Sequence, residues 1–327
     1  MRIVKVRFFN AFMFILLTAL CFVQNGTAEQ LAESSISEGI IQSKDGVELY
    51  YQVKGAGPDT LLMLHGGPGL NFDYLAPDLE PLEESFTLIY YDQRGSGRSA
   101  LVSESDLLTV NDHVADLEAV RKFFGLEKLS LFGHSWGAML ASFYALEHPE
   151  NLSKMVFASP GPPRLTPYMQ QLLPNIMAWM DSSATAEVEQ LMEARQDTTI
   201  NAITSCEAFW EIFIRGYFAD PHDLKAIRSM KGSFCSGSES ALRNGDIVSS
   251  YTWESMGEFD LREKLHDIDV PVLIISGTED IFPEDSLREW KASYPDSHLV
   301  LLDRAGHYPQ IERPDEFFRS VEEFLWE

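Results

Sequence analysis

The fold is decided by the stretch Leu129-Ser130-Leu131-Phe132-Gly133-His134-Ser135-Trp136-Gly137. Its first four residues form a short apolar run that predicts a buried strand, and the residues from Trp136 onward follow a helical pattern. Between them, the pattern Gly-x-Ser-x-Gly predicts a tight turn that leaves the Ser135 hydroxyl exposed above a sheet. The pattern alone is weak evidence, but its flanking strand and helix make a simple helix-capping serine the poorer interpretation.

Similar apolar runs alternate with helical patterns along most of the chain. Strands are predicted at residues 40–43, 47–53, 60–64, 86–91, 155–158, 272–275 and 299–302, and helices at 110–124, 136–147, 283–294 and 314–326. Asp45-Gly46 separates the first two strands and predicts a hairpin. Alternating strands and helices indicate an α/β fold with a mostly parallel, doubly wound sheet.

The alternation stops between about residues 161 and 262. This stretch contains helical patterns at 168–180, 184–194, 203–218 and 223–229, with Pro160-Gly161-Pro162-Pro163 at its start. A helical block between two strands of one sheet predicts an inserted cap over the site. We therefore expect a core made of residues 29–160 and 263–327 and a cap made of residues 161–262.

The composition limits the class of protein. The chain has 327 residues, of which 45% are hydrophobic, enough for one large domain carrying an insertion. Its net charge of −25 repels phosphate backbones, which argues against a nucleic-acid partner. A solvated acidic surface is the simpler interpretation of this charge, and a cationic substrate is the alternative.

The N-terminus resembles a signal peptide. Arg2, Lys5 and Arg7 precede an unbroken apolar run at residues 11–23, and Gly26-Thr27-Ala28 supplies the small residues that a signal peptidase reads. We expect cleavage after residue 28, a secreted or periplasmic protein and no stable membrane partner. An uncleaved N-terminal membrane anchor is the alternative, although the run is short for a membrane span.

Two cysteines, Cys206 and Cys235, remain after cleavage. An even number in an exported protein is compatible with a disulfide, and two buried thiols are the alternative.

A serine hydroxyl needs a base to accept its proton and an acid to orient that base. In this kind of fold the acid and then the histidine follow the serine in the chain. His307 follows the strand at 299–302, and Asp280 follows the strand at 272–275, so both are expected at the sheet edge where ligands bind. Glu279 and Asp285 are weaker candidates for the acid.

The transition state of acyl transfer also needs donors for its oxyanion. The amide of Trp136, directly after the serine, is one candidate. His65-Gly66-Gly67-Pro68-Gly69 follows another predicted strand, and we assign the second donor to Gly67. No Gly-Lys-Ser/Thr follows this loop, which argues against a phosphate-binding loop, and no spacing typical of metal ligands is present.

Together with the loop at residues 65–69 and the motif at 133–137, the segment Asp92-Gln93-Arg94-Gly95-Ser96-Gly97-Arg98-Ser99 resembles the proline iminopeptidases among the α/β-hydrolases. The resemblance covers about residues 40–160 and 261–327. It implies the α/β-hydrolase fold with a helical cap, and hydrolysis without a cofactor by Ser135, His307 and Asp280.

The resemblance is weaker in the cap. Iminopeptidases of this kind hold the substrate's free amine with cap glutamates, and in some of them a glutamate follows the catalytic aspartate, where this chain has Ile281. Glu207 and Glu211, four residues apart on one predicted helix, are our candidates for this amine site; a solvated helix face is the alternative. The aromatic residues Phe209, Trp210, Phe213 and Trp253 are expected either to line a proline pocket or to pack in the core.

The sequence thus predicts an exported aminopeptidase that releases N-terminal proline or another small apolar residue from a small molecule or short peptide. An esterase, amidase or lactonase with the same three residues is the alternative, and a non-catalytic binding protein on the same scaffold is a further one. Ser135 argues against epoxide hydrolases and dehalogenases, which use a carboxylate nucleophile at this position.

Overall fold

The computed structural model describes residues 36–327 and contains one eight-stranded sheet. The strands are β1 (Ile36–Gln42), β2 (Glu48–Lys54), β3 (Asp59–Leu64), β4 (Phe86–Tyr91), β5 (Leu129–His134), β6 (Leu152–Ala158), β7 (Val272–Gly277) and β8 (Ser297–Leu302). Their order across the sheet is β1-β2-β4-β3-β5-β6-β7-β8. Each strand overlaps one of the predicted apolar runs, and most strands extend a few residues beyond the run.

The sheet is mostly parallel. β1 and β2 form the predicted antiparallel hairpin, with Gln42 opposite Glu48 across the turn, and β2 pairs antiparallel with β4. All other pairs are parallel. The carboxyl ends of β3 to β8 therefore meet at one edge, where loops from several strands can form a common site.

The core occupies both faces of the sheet because successive side chains of a strand point in opposite directions. In β3, Leu62 and Leu64 belong to one hydrophobic cluster, and Leu61 and Met63 belong to the other.

Helices cover the two faces. The first cluster includes buried residues of α1 (Val110–Phe123) and α2 (Trp136–Glu147). The second includes residues from the C-terminal helix Pro314–Trp326.

Six α-helices and one short 3-10 helix, Ile214–Tyr217, lie between β6 and β7. The α-helices are α3 (Tyr168–Met177), α4 (Ser182–Gln196), α5 (Ala202–Phe213), α6 (Leu224–Ser229), α7 (Glu239–Met256) and α8 (Arg262–Leu265). Helices α3 to α6 follow the predicted patterns, whereas the sequence did not predict α7. The remaining α-helices of the described residues are α9 (Glu284–Ser293), α10 (Pro309–Glu312) and α11 (Pro314–Trp326). Short 3-10 helices lie at Phe72–Tyr74, Ala76–Glu84, Ser105–Leu107 and Pro149–Asn151.

The predicted signal segment, residues 1–28, lies outside the described residues. Within residues 36–327, no helix is both long enough and apolar enough to cross a membrane.

Candidate active site

Ser135 occupies the predicted turn between β5 and α2. Its backbone has φ = 55° and ψ = −117°, in the left-handed half of the map that non-glycine residues seldom adopt. The two glycines make this turn possible. A Cβ on Gly133 would lie 2.5 Å from the Ala138 nitrogen, and one on Gly137 would lie 2.1 Å from the Leu64 oxygen. Strain of this kind often accompanies a functional residue.

Asp280 and His307 meet in the loops after β7 and β8. His307 Nδ1 lies 3.0 Å from Asp280 Oδ1 and 3.2 Å from Oδ2. The carboxylate also accepts hydrogen bonds from Ser276 Oγ at 2.7 Å and from the Phe282 amide at 3.0 Å. Burial alone would raise the pKa of Asp280, but the facing His307 and these hydrogen bonds hold that pKa below its ordinary value.

The ionised state of Asp280 fixes the role of each His307 nitrogen. A carboxylate accepts hydrogen bonds and cannot donate them, so the Nδ1–H of His307 must donate to Asp280. In a neutral imidazole, Nε2 is then left with a lone pair that can accept a proton. The weaker acid candidates, Glu279 and Asp285, are both exposed, and the carboxylate paired with His307 is that of Asp280.

The loop after β3 lies beside the serine turn. Gly66, Gly67, Ser135, Trp136 and His307 all line one cavity. Gly67 has φ = 121°, a conformation that suits glycine. The candidate donors, the Gly67 and Trp136 amides, therefore belong to residues on the same cavity as the candidate nucleophile.

A side chain not singled out from the sequence connects these two segments. The Trp136 indole donates to Gln93 Oε1 at 2.8 Å, while Gln93 Nε2 donates to the His65 carbonyl at 3.0 Å. The backbone N–H of Gln93 also donates to His65 Nε2 at 3.1 Å. Gln93 therefore holds the glycine loop against the start of α2. Its position after β4 was the feature of the sequence that pointed to the sheet edge, but the residues to which it hydrogen-bonds are remote in sequence.

The cavity has a volume of about 840 Å³ and is mainly apolar. Its walls include the four aromatic residues predicted for a pocket, together with further residues of the cap and the sheet edge: Phe209, Trp210, Phe213, Tyr217, Phe234, Trp253, Phe282 and Tyr308. Among the described residues that line it, Glu193, Arg195 and Asp246 carry formal charges. Arg195 donates to Asp246 Oδ1 at 2.8 Å.

The structure corrects the expected position of Glu207 and Glu211. Both side chains are exposed, and neither lines the cavity. The buried face of α5 that lines the cavity carries Cys206, Phe209 and Phe213. Successive residues of a helix are rotated by about 100° around its axis, so Glu207 and Glu211 fall on a different face. The two carboxylates therefore lie on the solvent side of the same helix.

Cys206 and Cys235 form a disulfide, with their Cα atoms 5.8 Å apart. The bond joins α5 to the segment before α7, which was one of the two interpretations from the sequence. Next to the bond, the ring of Phe234 stacks on Trp210 with centroids 3.9 Å apart. The disulfide thus fixes two segments that contribute aromatic rings to the cavity wall.

Two kinds of comparison with known proteins agree with this architecture. The sequence pattern of the family described as alpha/beta hydrolase fold matches residues 59–314. Among curated proteins, the chain is 27% identical over 281 residues to a proline iminopeptidase of Lacticaseibacillus rhamnosus, covering 84% of this chain and 94% of that protein. It is 25% identical over 295 residues to a proline iminopeptidase of Clostridioides difficile, covering 89% of this chain and 98% of that protein.

Solved structures show the same fold. An esterase from Exiguobacterium antarcticum superposes with a TM-score of 0.66 and 22% identity, covering 89% of this chain and all of that one. A proline iminopeptidase from Mycobacterium smegmatis also gives a TM-score of 0.66 and 22% identity, covering 88% of this chain and 97% of that one. The match over residues 59–314, together with the eight-stranded sheet, shows that the chain belongs to the α/β-hydrolase fold family and is a hydrolase of that family.

Proposed function

We propose that this hydrolase is serine-dependent and works through an acyl-enzyme formed on Ser135. The observation that carries the proposal is the pairing of His307 with the buried Asp280 at the cavity that the strained Ser135 turn lines. Ser135 Oγ attacks the substrate carbonyl carbon while His307 Nε2 accepts its proton. The Gly67 and Trp136 amides stabilise the oxyanion that forms.

Collapse of this intermediate breaks the bond to the leaving group, which takes the proton from His307. Water then attacks the acyl carbon and gives a proton to His307. The bond between that carbon and Ser135 Oγ breaks, His307 returns the proton to Ser135 Oγ, and the acid product leaves. Asp280 keeps Nδ1 protonated and stabilises the imidazolium that exists between the two transfers.

For the substrate, we propose an amide of N-terminal proline or of another small apolar residue. The relatives named as proline iminopeptidases support this, and so does the aromatic lining of the cavity. An aminopeptidase must also accept an ammonium group. Because Glu207 and Glu211 do not line the cavity, we assign this role to Glu193 on α4 and Asp246 on α7, the exposed carboxylates among the described lining residues.

An esterase, amidase or lactonase for uncharged acyl groups is the second candidate. It is favoured by two features of the cavity: the mainly apolar lining, and the ion pair in which Arg195 already neutralises Asp246.

We also propose that the protein is exported. The disulfide between Cys206 and Cys235 supports this, since such bonds persist mainly in oxidising compartments.

The deciding experiment compares proline-naphthylamide, its N-acetyl derivative and a neutral short-chain ester as substrates. We expect Ser135→Ala to abolish hydrolysis of all three. We expect Glu193→Gln and Asp246→Asn each to lower kcat/KM for the free amine about fivefold, since a partly exposed charge contributes about 1 kcal/mol. The kcat/KM for the neutral ester should be unaffected by either of these two substitutions.

Glu207→Gln is the matched control, because its carboxylate lies on the same cap but outside the cavity. If the acetylated and free amines are cleaved equally well, the aminopeptidase proposal is wrong and the esterase or amidase candidate replaces it. If Ser135→Ala retains more than about a tenth of the activity, the serine mechanism itself is wrong.

A further inference from the structure

A buried chain of three hydrogen bonds joins the glycine loop after β3 to the backbone of His307. The Gly66 amide lies 2.7 Å from Tyr74 Oη, and Tyr74 Oη lies 2.8 Å from His134 Nδ1. His134 Nε2 lies 3.1 Å from the carbonyl oxygen of His307. Tyr74, His134 and His307 are each only 1% exposed. The chain therefore connects the segment of the proposed oxyanion donor to the residue proposed as the base.

Each hydrogen bond of this chain has a single possible direction. The His307 carbonyl can only accept, so His134 Nε2 must carry a proton and donate it. Burial, reinforced by the nearby His307, lowers the pKa of His134 to about 3, so its ring is neutral and Nδ1 has a lone pair. Tyr74 Oη–H therefore donates to Nδ1, and the Gly66 amide donates to the Tyr74 oxygen.

Packing holds both rings of the chain in place. The Tyr74 ring stacks on Phe234 with centroids 4.8 Å apart, and the His134 ring stacks on Tyr308 with centroids 5.3 Å apart. A Cβ on Gly66 would lie only 2.6 Å from Tyr74 Oη, which shows how closely the loop approaches the hydroxyl. Movement of Gly66 relative to His307 would therefore have to break a buried hydrogen bond.

We propose that Tyr74 and His134 are positioning residues that fix the distance between the oxyanion loop and His307. This inference rests on the proposed function, since it assigns a role to that loop and to that histidine. An oxyanion donor is effective only if it is already in place when charge develops on the substrate oxygen. The Gly66–Tyr74–His134–His307 chain supplies this restraint from one side of the site to the other.

The position of the chain argues for catalysis rather than for stability alone. A buried polar chain seldom stabilises a core more than well-packed apolar side chains do. This one begins at the residue before Gly67 and ends on the carbonyl of His307 itself. Tyr294 offers a contrast, because its buried hydroxyl bonds to Ser142 Oγ at 3.2 Å and does not line the cavity.

The test is the variant Tyr74→Phe, which removes one oxygen and keeps the ring that stacks on Phe234. It leaves the Gly66 amide and His134 Nδ1 without a partner, so the loop is no longer held at its distance from His307. We expect kcat for p-nitrophenyl acetate to fall at least about thirtyfold with KM changed less than about threefold, because misplacing a reacting group slows the chemical step. The rate of labelling by a fluorophosphonate should fall by a similar factor.

Tyr294→Phe is the matched control, and we expect it to lose stability while kcat stays within about twofold of the wild type. A second pair of variants tests the other member of the chain. His134→Gln keeps an acceptor and a donor at a separation similar to that of the ring nitrogens, whereas His134→Leu keeps neither. We expect His134→Gln to retain at least about a third of kcat and His134→Leu to lose as much as Tyr74→Phe.

If Tyr74→Phe keeps kcat within about threefold of the wild type, as Tyr294→Phe does, the proposal is overturned. Should Tyr74→Phe fail to fold, equal kcat values for His134→Gln and His134→Leu would overturn it instead. Failure of the proposed function looks different. In that case the fluorophosphonate does not label Ser135 of the wild-type enzyme, whereas failure of the positioning role leaves wild-type labelling intact and the variants labelled at the same rate.

Discussion

Replacement of Asp280 by asparagine is the most direct test of the Asp280–His307 pair. In Asp280→Asn, the amide oxygen must stay in the Oδ1 position, because only an acceptor can receive the Phe282 N–H. The amide nitrogen then lies in the Oδ2 position, 3.2 Å from His307 Nδ1, where two donors would face each other. The variant thus loses the negative charge and gains a donor beside Nδ1, while its amide oxygen, 3.0 Å from Nδ1, remains the acceptor of the Nδ1–H.

The lost charge sets the magnitude. Unit charges 3.0 Å apart, the separation of Nδ1 and Oδ1, attract by about 5.5 kcal/mol at an effective dielectric constant of about 20. The imidazolium exists only in the transition state and intermediate, so this energy appears in kcat and corresponds to a loss of about 10⁴-fold. Burst kinetics with p-nitrophenyl acetate, together with the rate of fluorophosphonate labelling, measure this loss.

Glu279→Gln is the matched control for this experiment. It makes the same chemical change one residue away, on a side chain that is exposed, so kcat should stay within about twofold of the wild type. The reasoning is refuted if Asp280→Asn keeps more than about a tenth of kcat while remaining folded, or if the two variants lose activity equally.

Two further predictions concern the cap and the stability of the core. In the exported protein, mass spectrometry should find an N-terminus at Glu29 and a peptide linked through Cys206 and Cys235. Replacing both cysteines by serine should lower the unfolding free energy by about 3 kcal/mol. Two titratable thiols in the denatured, unreduced protein would contradict the bond. Burial lowers the pKa of His113 to about 3, so below about pH 6.5 the His113 side chain takes up a proton when the protein unfolds. The stability that neutral His113 contributes is therefore complete above that pH and is lost as the pH falls. Between pH 7 and pH 5 the wild type should therefore lose about 2 kcal/mol relative to His113→Gln, and parallel urea-denaturation results for the two proteins would rule this out. Other buried groups titrate in both proteins and cancel in this difference.

The strands could be predicted from the sequence because each is a short apolar run, and burial on both faces of a parallel sheet requires such a run. The helix α7 could not be predicted from the sequence. Its buried residues are Ala241, Asn244, Gly245, Val248 and Thr252, most of them small or polar, so the expected apolar repeat is faint. Small residues suit this helix because it packs closely: a Cβ on Gly245 would lie 2.4 Å from the oxygen of Gly69.

The candidate reactive residues could also be placed from the sequence, because each lies in the loop or turn after a strand whose end is fixed by the sheet. Their supporting contacts could not be placed. Tyr74 and His134 are 60 residues apart and His134 and His307 are 173 apart, and no spacing in a sequence records such a pairing. Hydrogen bonds between remote segments depend on side-chain directions that only the folded chain defines.

The position of Glu207 and Glu211 on the solvent side, the alternative left open by the sequence, follows from the geometry of α5. A helix can turn only one face to a cavity, and Phe209 and Phe213 are four residues apart, as are Glu207 and Glu211. These two pairs are offset by two residues, about 200° around the helix, so an aromatic wall and an amine-binding pair on α5 exclude each other. Once the aromatic face of α5 points to the cavity, any carboxylate that meets a substrate ammonium must come from another helix. Helices α4 and α7 satisfy this condition through Glu193 and Asp246, which is why the specificity of the enzyme is best tested there.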